Sequence, residues 1–340
     1  MISPKKKAYA AAGVDIALGN RVKRGLQDKV KTTFGPEVLG RIGGFGGFFH
    51  LDLPEIKDPV LVSSIDGVGT KLKIAISLGK HDSIAQDLVN HCINDIAVTG
   101  ARPLFFLDYI GAERLDPSVF SQLISGFTKA CQAGRCALIG GETAQMPDMY
   151  HRGEYDLAGC IVGLVDREKI IDGSRIVPSD VLVGLPSNGL HTNGYSLARK
   201  VLLSEMRLDL NQKVEGLSKT LGEELLRIHR NYQPVLASVP SGRIKGAAHI
   251  TGGGLIDNLP RILPPTCDAL VDTSAWKVPP IFRLIQRGGG VPFQEMLEVF
   301  NLGIGLVLIV GRRNVAEVVK ITAGKVIGQI TPGSGRVLIT

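Results

Sequence analysis

The sequence predicts two α/β domains in one chain of 340 residues. Three observations point there. Short apolar runs rich in branched residues alternate with helix-like segments. The alternation pauses once, in a polar stretch near 168–178, and then begins afresh. The length also exceeds the ~100–200 residues of one compact unit, so two cores are expected.

In the first half, residues 60–65, 104–107, 137–139 and 160–165 read as strands. Residues 83–99 and 117–133 read as helices. Asp116 stands ahead of Pro117, a capping side chain followed by a proline suited to the first helical position. The second half opens with a strand at 181–185 and a helix at 195–204. A helix at 222–229, a helix start at 254–262 and a late strand at 305–310 follow. We place the domains at 1–170 and 171–340, each an α/β unit.

Composition excludes several classes of function. The net charge is +7, but the one dense basic run is Lys5-Lys6-Lys7, with no interleaved aromatics. A nucleic-acid surface is not indicated, and a phosphorylated small molecule suits the mild positive balance. Five cysteines are present, an odd number without a C-x-x-C pair, so neither a disulfide frame nor a cysteine zinc site is expected. The apolar run after Lys7 is cut by Asp15, too early for a signal peptide. The longest uncharged stretch, 299–311, falls short of the ~20 residues that span a membrane. A soluble, cytoplasmic enzyme is expected.

Three of the first-half strands run into acids: Asp66, Asp108 and, through Gly140-Gly141, Glu142. Asp95 follows Asn94 in the intervening helix. Carboxylates delivered to one sheet edge suit Mg²⁺, which binds oxygen ligands and nucleotide phosphates. Taken singly, each is also what a turn or helix cap requires. Around Asp66 the chain reads Asp-Gly67-Val-Gly69-Thr70-Lys71. Its glycines allow close backbone approach to a ligand, and Lys71 offers a point charge for phosphate. It is neither a Walker A loop nor a dinucleotide fingerprint. Upstream, Gly43, Gly44, Gly46 and Gly47 crowd a segment too flexible for a helix, either a flap over phosphates or a plain hinge.

The second half adds two polar loops. Asn188-Gly-Leu-His191-Thr-Asn193-Gly-Tyr-Ser196 carries a histidine able to donate to a developing oxyanion. Thr251-Gly252-Gly253-Gly254 opens a helix, as either a phosphate cradle or a flexible connection.

In this order the motifs resemble the aminoimidazole ribonucleotide synthetase family. Those carrying the likeness are Asp66-Gly-Val-Gly-Thr-Lys-Leu, Asn94-Asp95, Pro103-Leu-Phe-Phe-Leu-Asp108-Tyr, Gly140-Gly-Glu-Thr-Ala-Gln-Met-Pro147, His191-Thr-Asn-Gly-Tyr-Ser196 and Thr251-Gly-Gly-Gly254. The likeness runs from about residue 9 to about residue 308. It implies ATP and Mg²⁺, formylglycinamidine ribonucleotide as substrate, and a homodimer whose N-terminal strands close a barrel. In the implied reaction the formyl oxygen is phosphorylated by ATP, and the ring closes with loss of phosphate. The resemblance gives Asp66, Asp95 and Glu142 to the metal and phosphates, with Asp108 in support. Lys71 would neutralise the transferring phosphoryl group, and Gly43 to Gly47 would cover the nucleotide. His191 and Asn193 would hold the formyl oxygen, and Thr251 to Gly254 a phosphate.

The chain departs from the family pattern in three places. Ser64-Ile65 stands where Gly-Thr is common. Gln27 replaces a lysine of the nucleotide side, leaving Lys23 or Lys31 as substitutes. The segment Ile228-His229-Arg230-Asn231-Tyr232 lacks the Pro-Thr usual ahead of its tyrosine.

Overall fold

The computed structural model describes residues 8–340, except the side chains of Ala10, Ala11 and Lys23; the basic run at 5–7 also lies outside the described residues. Strands β1 (Val38–Leu39) and β2 (Phe48–Phe49) form a small hairpin. The first main sheet holds β3 (Pro59–Gly67), β4 (Arg102–Ala112), β5 (Ala137–Gln145) and β6 (Tyr155–Asp166). Its order is β3-β6-β4-β5. The long β6 lies antiparallel between β3 and β4, and β5 runs parallel to β4.

These strands outrun the apolar segments that predict them. Asp66, Asp108 and Glu142 therefore lie inside strands, not beyond their ends. An apolar run marks burial, whereas pairing continues wherever a neighbour still offers backbone partners.

Helices Asp82–Ala97 and Pro117–Ala133 cover one face of this sheet. The second begins as expected, with Asp116 Oδ1 accepting from the N–H of Ser118 and Val119 at 2.8 and 3.1 Å. Phe106, Ile161, Leu88, Cys92 and Phe127 are buried between the layers. The opposite face is open: Leu61 is 60% exposed and Ile65 73%.

The second sheet contains β7 (Val181–Pro186), β8 (Ile244–His249), β9 (Cys267–Val271), β10 (Ile304–Val310), β11 (Lys325–Pro332) and β12 (Val337–Ile339). Its order is β12-β9-β11-β7-β10-β8, mostly antiparallel. Every residue of β10 is buried, as its unbroken apolar sequence demands. No helix among the described residues is long and apolar enough to cross a membrane.

Two expected helices are shorter than predicted. The 195–204 segment is α-helical over Tyr195–Arg199, then widens into a π-helical turn over Lys200–Glu205. The 222–229 segment is helical only over Leu221–Leu225, opened by a Thr220–Glu223 capping box. Beyond it the backbone is claimed by another helix. His229 N–H donates to Asp87 Oδ1 at 2.6 Å, and Asn90 Nδ2 donates to the His229 carbonyl at 2.8 Å. Asn94 Nδ2 donates to the Arg230 carbonyl, and Asn94 Oδ1 accepts from Tyr232 N–H, both at 2.8 Å. Positions 87, 90 and 94 share one face of helix Asp82–Ala97. A polar stripe on an N-terminal helix thus clasps an irregular strip of the C-terminal half.

Candidate functional site

The acids sit along a row across the first sheet. Asp66 and Asp108 both register with Gly159 of β6, one on each side. Two strand spacings separate them, roughly 10 Å between backbones. Asp66 Oδ1 accepts from the Gly67 N–H at 2.7 Å, and its Oδ2 meets His91 Nε2 at 2.7 Å. Asp95 joins from the covering helix. Its carboxylate accepts from Ser64 Oγ at 3.1 Å and meets His249 Nδ1 at 2.8 Å and His91 Nε2 at 3.7 Å. Burial opposes the charge of both acids. The hydrogen bonds and positive field of the histidines outweigh it and hold both carboxyls below their ordinary range. For His91, burial is outweighed in turn by Asp66 and Asp95, and its pKa rises.

Behind the acids lies a group of histidines that the sequence reading did not assemble. His91, His229 and His249 pack ring against ring, with centroids 5.0–5.2 Å apart. His191 stacks on His229 at 4.1 Å. His229 Nε2 lies 2.9 Å from His249 Nε2, and His91 Nδ1 lies 2.8 Å from Thr192 Oγ1. A signal was available for one of them: His91 and Asp95 stand four apart, on one helix face.

His191 is buried and holds a left-handed backbone, φ 62°. Its Nε2 accepts from the Asn188 N–H at 3.4 Å, which leaves the ring proton on Nδ1, and Nδ1 is buried with no protein partner. Burial, then the nearby His249 and Lys71 charges, push its pKa well below the usual histidine value. The ring is neutral near pH 7, with one donor uncommitted. Buried donors of that kind are rare in native proteins.

Two cavities of about 420 and 400 Å³ open on this cluster, and both are lined by Asp66 and His91. The first adds Asp95, His249 and Thr251. The second adds Gly67, Gly69 and Asn193. Asn193 Oδ1 would lie 3.3 Å from a Cβ at Gly252, so the two polar loops of the second half meet here. Thr70 Oγ1 touches Ser196 Oγ at 3.0 Å beside them.

Asp108 and Glu142 belong to a separate cavity of about 500 Å³. Gly43, Gly44, Gly46 and Gly47, at the tip of the β1–β2 hairpin, roof it. The expected single cluster of four acids is therefore corrected to two pairs, because the sheet row spaces them apart. Glu142 registers with Tyr109 and Asp108 with Gly141, so the two acids stand one residue apart along paired strands, and both line this cavity. Gln27 lines this cavity, and the cation among its lining residues is Arg41. Lys31 instead pairs with Asp28 on the surface at 3.2 Å, and the side chain of Lys23 lies outside the described residues.

Two further expectations are corrected. Lys71 is fully buried: its Nζ pairs with Asp87 at 2.7 Å and donates to the carbonyls of His191 and Arg227 at 3.0 and 2.7 Å. Its three contacts are spent, one on Asp87 of its own half and two on carbonyls of the second half, and the side chain is fully buried, so it does not reach a phosphoryl group. Gly253 and Gly254 have φ of 92° and 58°, and a Cβ at Gly254 would stand 1.8 Å from the Leu297 carbonyl oxygen. Backbone geometry alone demands these glycines, and helix Gly254–Asn258 is a short one. Thr251 and Gly252 are the members of that loop nearest the cleft.

Comparison with known proteins adds the decisive observation. Residues 53–165 match the family model for the AIR synthase related protein N-terminal domain, and residues 177–340 match the C-terminal domain. A phosphoribosylformylglycinamidine cyclo-ligase of Carboxydothermus hydrogenoformans is 50% identical over 337 residues, 97% of this chain and 98% of its own. One from Geotalea daltonii is 52% identical over 318 residues, 93% and 91%. The chain belongs to the phosphoribosylformylglycinamidine cyclo-ligase family. Solved structures share the cyclo-ligase fold at lower identity. A thiamine-monophosphate kinase of Stenotrophomonas maltophilia has a TM-score of 0.66 at 17% identity, covering 96% of both chains. The hydrogenase maturation protein HypE in complex with ATP also scores 0.66 at 17% identity, covering 93% of this chain and 90% of that one.

Proposed function

We propose that the chain closes the imidazole ring of 5-aminoimidazole ribonucleotide from formylglycinamidine ribonucleotide, with ATP converted to ADP and phosphate. Half-identity to cyclo-ligases along nearly the whole chain carries this reading. The formyl oxygen attacks the γ-phosphorus and ADP departs. The internal nitrogen then attacks the activated carbon, and phosphate leaves with the former formyl oxygen. Such transfer needs positioning and charge neutralisation more than covalent help.

The cleft supplies those needs. Asp66 and Asp95 are half-buried oxygen donors held ionised at neutral pH, and they fit Mg²⁺. When bound with ATP, Mg²⁺ draws charge from the phosphate oxygens. Asp108 and Glu142 serve the nucleotide end, where the Gly43 to Gly47 roof and Arg41 meet the phosphates. Gly67 and Gly69 let the backbone come close to a ligand along that path. His191 donates from Nδ1 to the formyl oxygen, and Asn193 and Thr251 steady the substrate beside it.

Support for assembly comes from the open face of the first sheet. Leu61 and Ile65 are exposed there at outward positions on either side of Ser63, and we propose that a second copy covers them.

The test is ADP release with formylglycinamidine ribonucleotide, with ATP alone as control. Release that depends on the ribonucleotide is expected. Substituting His191→Ala removes one donor and should lower kcat on the order of 10²-fold. An unchanged kcat rejects the role of His191, and release indifferent to the ribonucleotide rejects the reaction.

A further inference from the structure

We propose that Asp66, His91, Asp95 and His249 form a site for a divalent transition ion of the zinc class, distinct in chemistry from a magnesium site. His91, Asp95 and His249 converge, and Asp66 joins the group through His91. His91 Nε2 lies 2.7 Å from Asp66 Oδ2 and 3.7 Å from Asp95 Oδ2, and His249 Nδ1 lies 2.8 Å from Asp95 Oδ1. One ligand atom from each of His91, Asp95 and His249 falls within a 4.8 Å span. A tetrahedral zinc shell with bonds of about 2.0–2.1 Å places its ligand atoms about 3.3 Å apart. Small side-chain shifts connect the two arrangements.

The surroundings match what a metal centre needs. Each histidine has its other ring nitrogen held, His91 by Thr192 Oγ1 at 2.8 Å and His249 by His229 Nε2 at 2.9 Å. The carboxylates are held too, by Ser64 Oγ and the Gly67 N–H. Such outer partners fix ring orientation and tautomer. The histidines are buried, while the carboxylates face the 420 Å³ cavity, which gives an ion a way in.

The sequence supplies an independent pointer. Two of the three departures from the family pattern land on this cluster. Ser64, where glycine is common, reaches Asp95, and His229, in the segment that lacks the usual Pro-Thr, reaches His249. Mixed nitrogen and oxygen donors favour zinc, cobalt and their neighbours over Mg²⁺, which prefers an all-oxygen shell with water. Metal binding sends the proton that His91 Nε2 shares with Asp66 to solvent, while His249 stays a neutral imidazole, its one proton moving from Nδ1 to Nε2.

The inference goes beyond the ring-closing reaction, since it requires no nucleotide. It shares Asp66 and Asp95 with the proposed magnesium site, so the two ions exclude one another. The test uses the full chain, stripped of metal and free of nucleotide, titrated with Co²⁺. Expected are one equivalent bound, the visible absorption of tetrahedral cobalt, and displacement by Zn²⁺ but not by excess Mg²⁺. His91→Asn and His249→Asn should each abolish the band, with circular dichroism reporting the fold and His91→Gln replacing any variant that does not fold. His229→Thr removes only an outer partner and should weaken binding about 10- to 100-fold. No visible band in the unaltered chain, a band surviving both ligand substitutions, or displacement by Mg²⁺ overturns the site. Loss of ribonucleotide-dependent ADP release with an intact cobalt band would instead sink the ring-closing assignment alone.

Discussion

At the scale of single residues, the histidines set the pH dependence of stability. His191, His229 and His249 are buried, and burial lowers the pKa of each. Unfolded, they titrate near 6.5, so below that pH the unfolded chain binds more protons and stability falls as pH drops. His91 works the other way: its raised pKa stabilises the fold below about 6.5, and that support fades as pH rises through the folded value. With His81, whose pKa burial also lowers, four histidines oppose His91 and Asp87, whose carboxyl burial pushes up to about 6, and each neutral histidine contributes up to about 1.4 kcal/mol per pH unit. The melting temperature should therefore fall between pH 7 and pH 5.5, with a shallower fall in His229→Thr. An equal slope in that variant rejects the assignment. The residue scale is also where sequence reading was most uneven. Asp66, Asp95, His191 and Asn193 stand out by their motifs; Asp66, Asp95 and Asn193 line the two adjoining cavities, and His191 is buried behind them. Lys71 reads as a phosphate ligand because exposure cannot be read from a motif, yet a buried partner at Asp87 claims it. His229 was invisible because its neighbours come from elements remote in sequence, and His91 showed only its spacing to Asp95.

At the scale of elements, helix Asp82–Ala97 does two jobs. One face fills the core with Ile84, Leu88 and Cys92, while Asp87, Asn90 and Asn94 hold the backbone at 229–232. Substituting Asn94→Ala leaves the Arg230 carbonyl and the Tyr232 N–H without their partner, in a place water does not reach freely. The expected loss is about 2–4 kcal/mol, seen as a lower denaturant midpoint at unchanged slope. A loss below about 0.5 kcal/mol would mean that the clasp contributes little. The alternation of strands and helices was legible in the sequence. Their ends were not, because strand length depends on the partner β6, and the 228–232 strip is irregular only because a distant helix supplies its hydrogen bonds.

At the scale of the molecule, the two sheets lie on either side of the predicted boundary, and the helical face of the first was legible from its apolar runs. The bare face was not, since Leu61 and Ile65 read as ordinary strand hydrophobics. If a second copy covers it, Ile65→Glu buries a charge in the contact and should yield monomers by sedimentation at concentrations where the unaltered chain is dimeric. An unaltered chain that sediments as a monomer rejects self-association through this face.

Strand β3 carries both stories on alternate residues. Leu61, Ser63 and Ile65 point outward, while Ser64 and Asp66 point toward the histidines. Only the thickness of one pleated layer separates them. A molecule resting on the outer side would touch the same strand that carries Asp66 on its inner side.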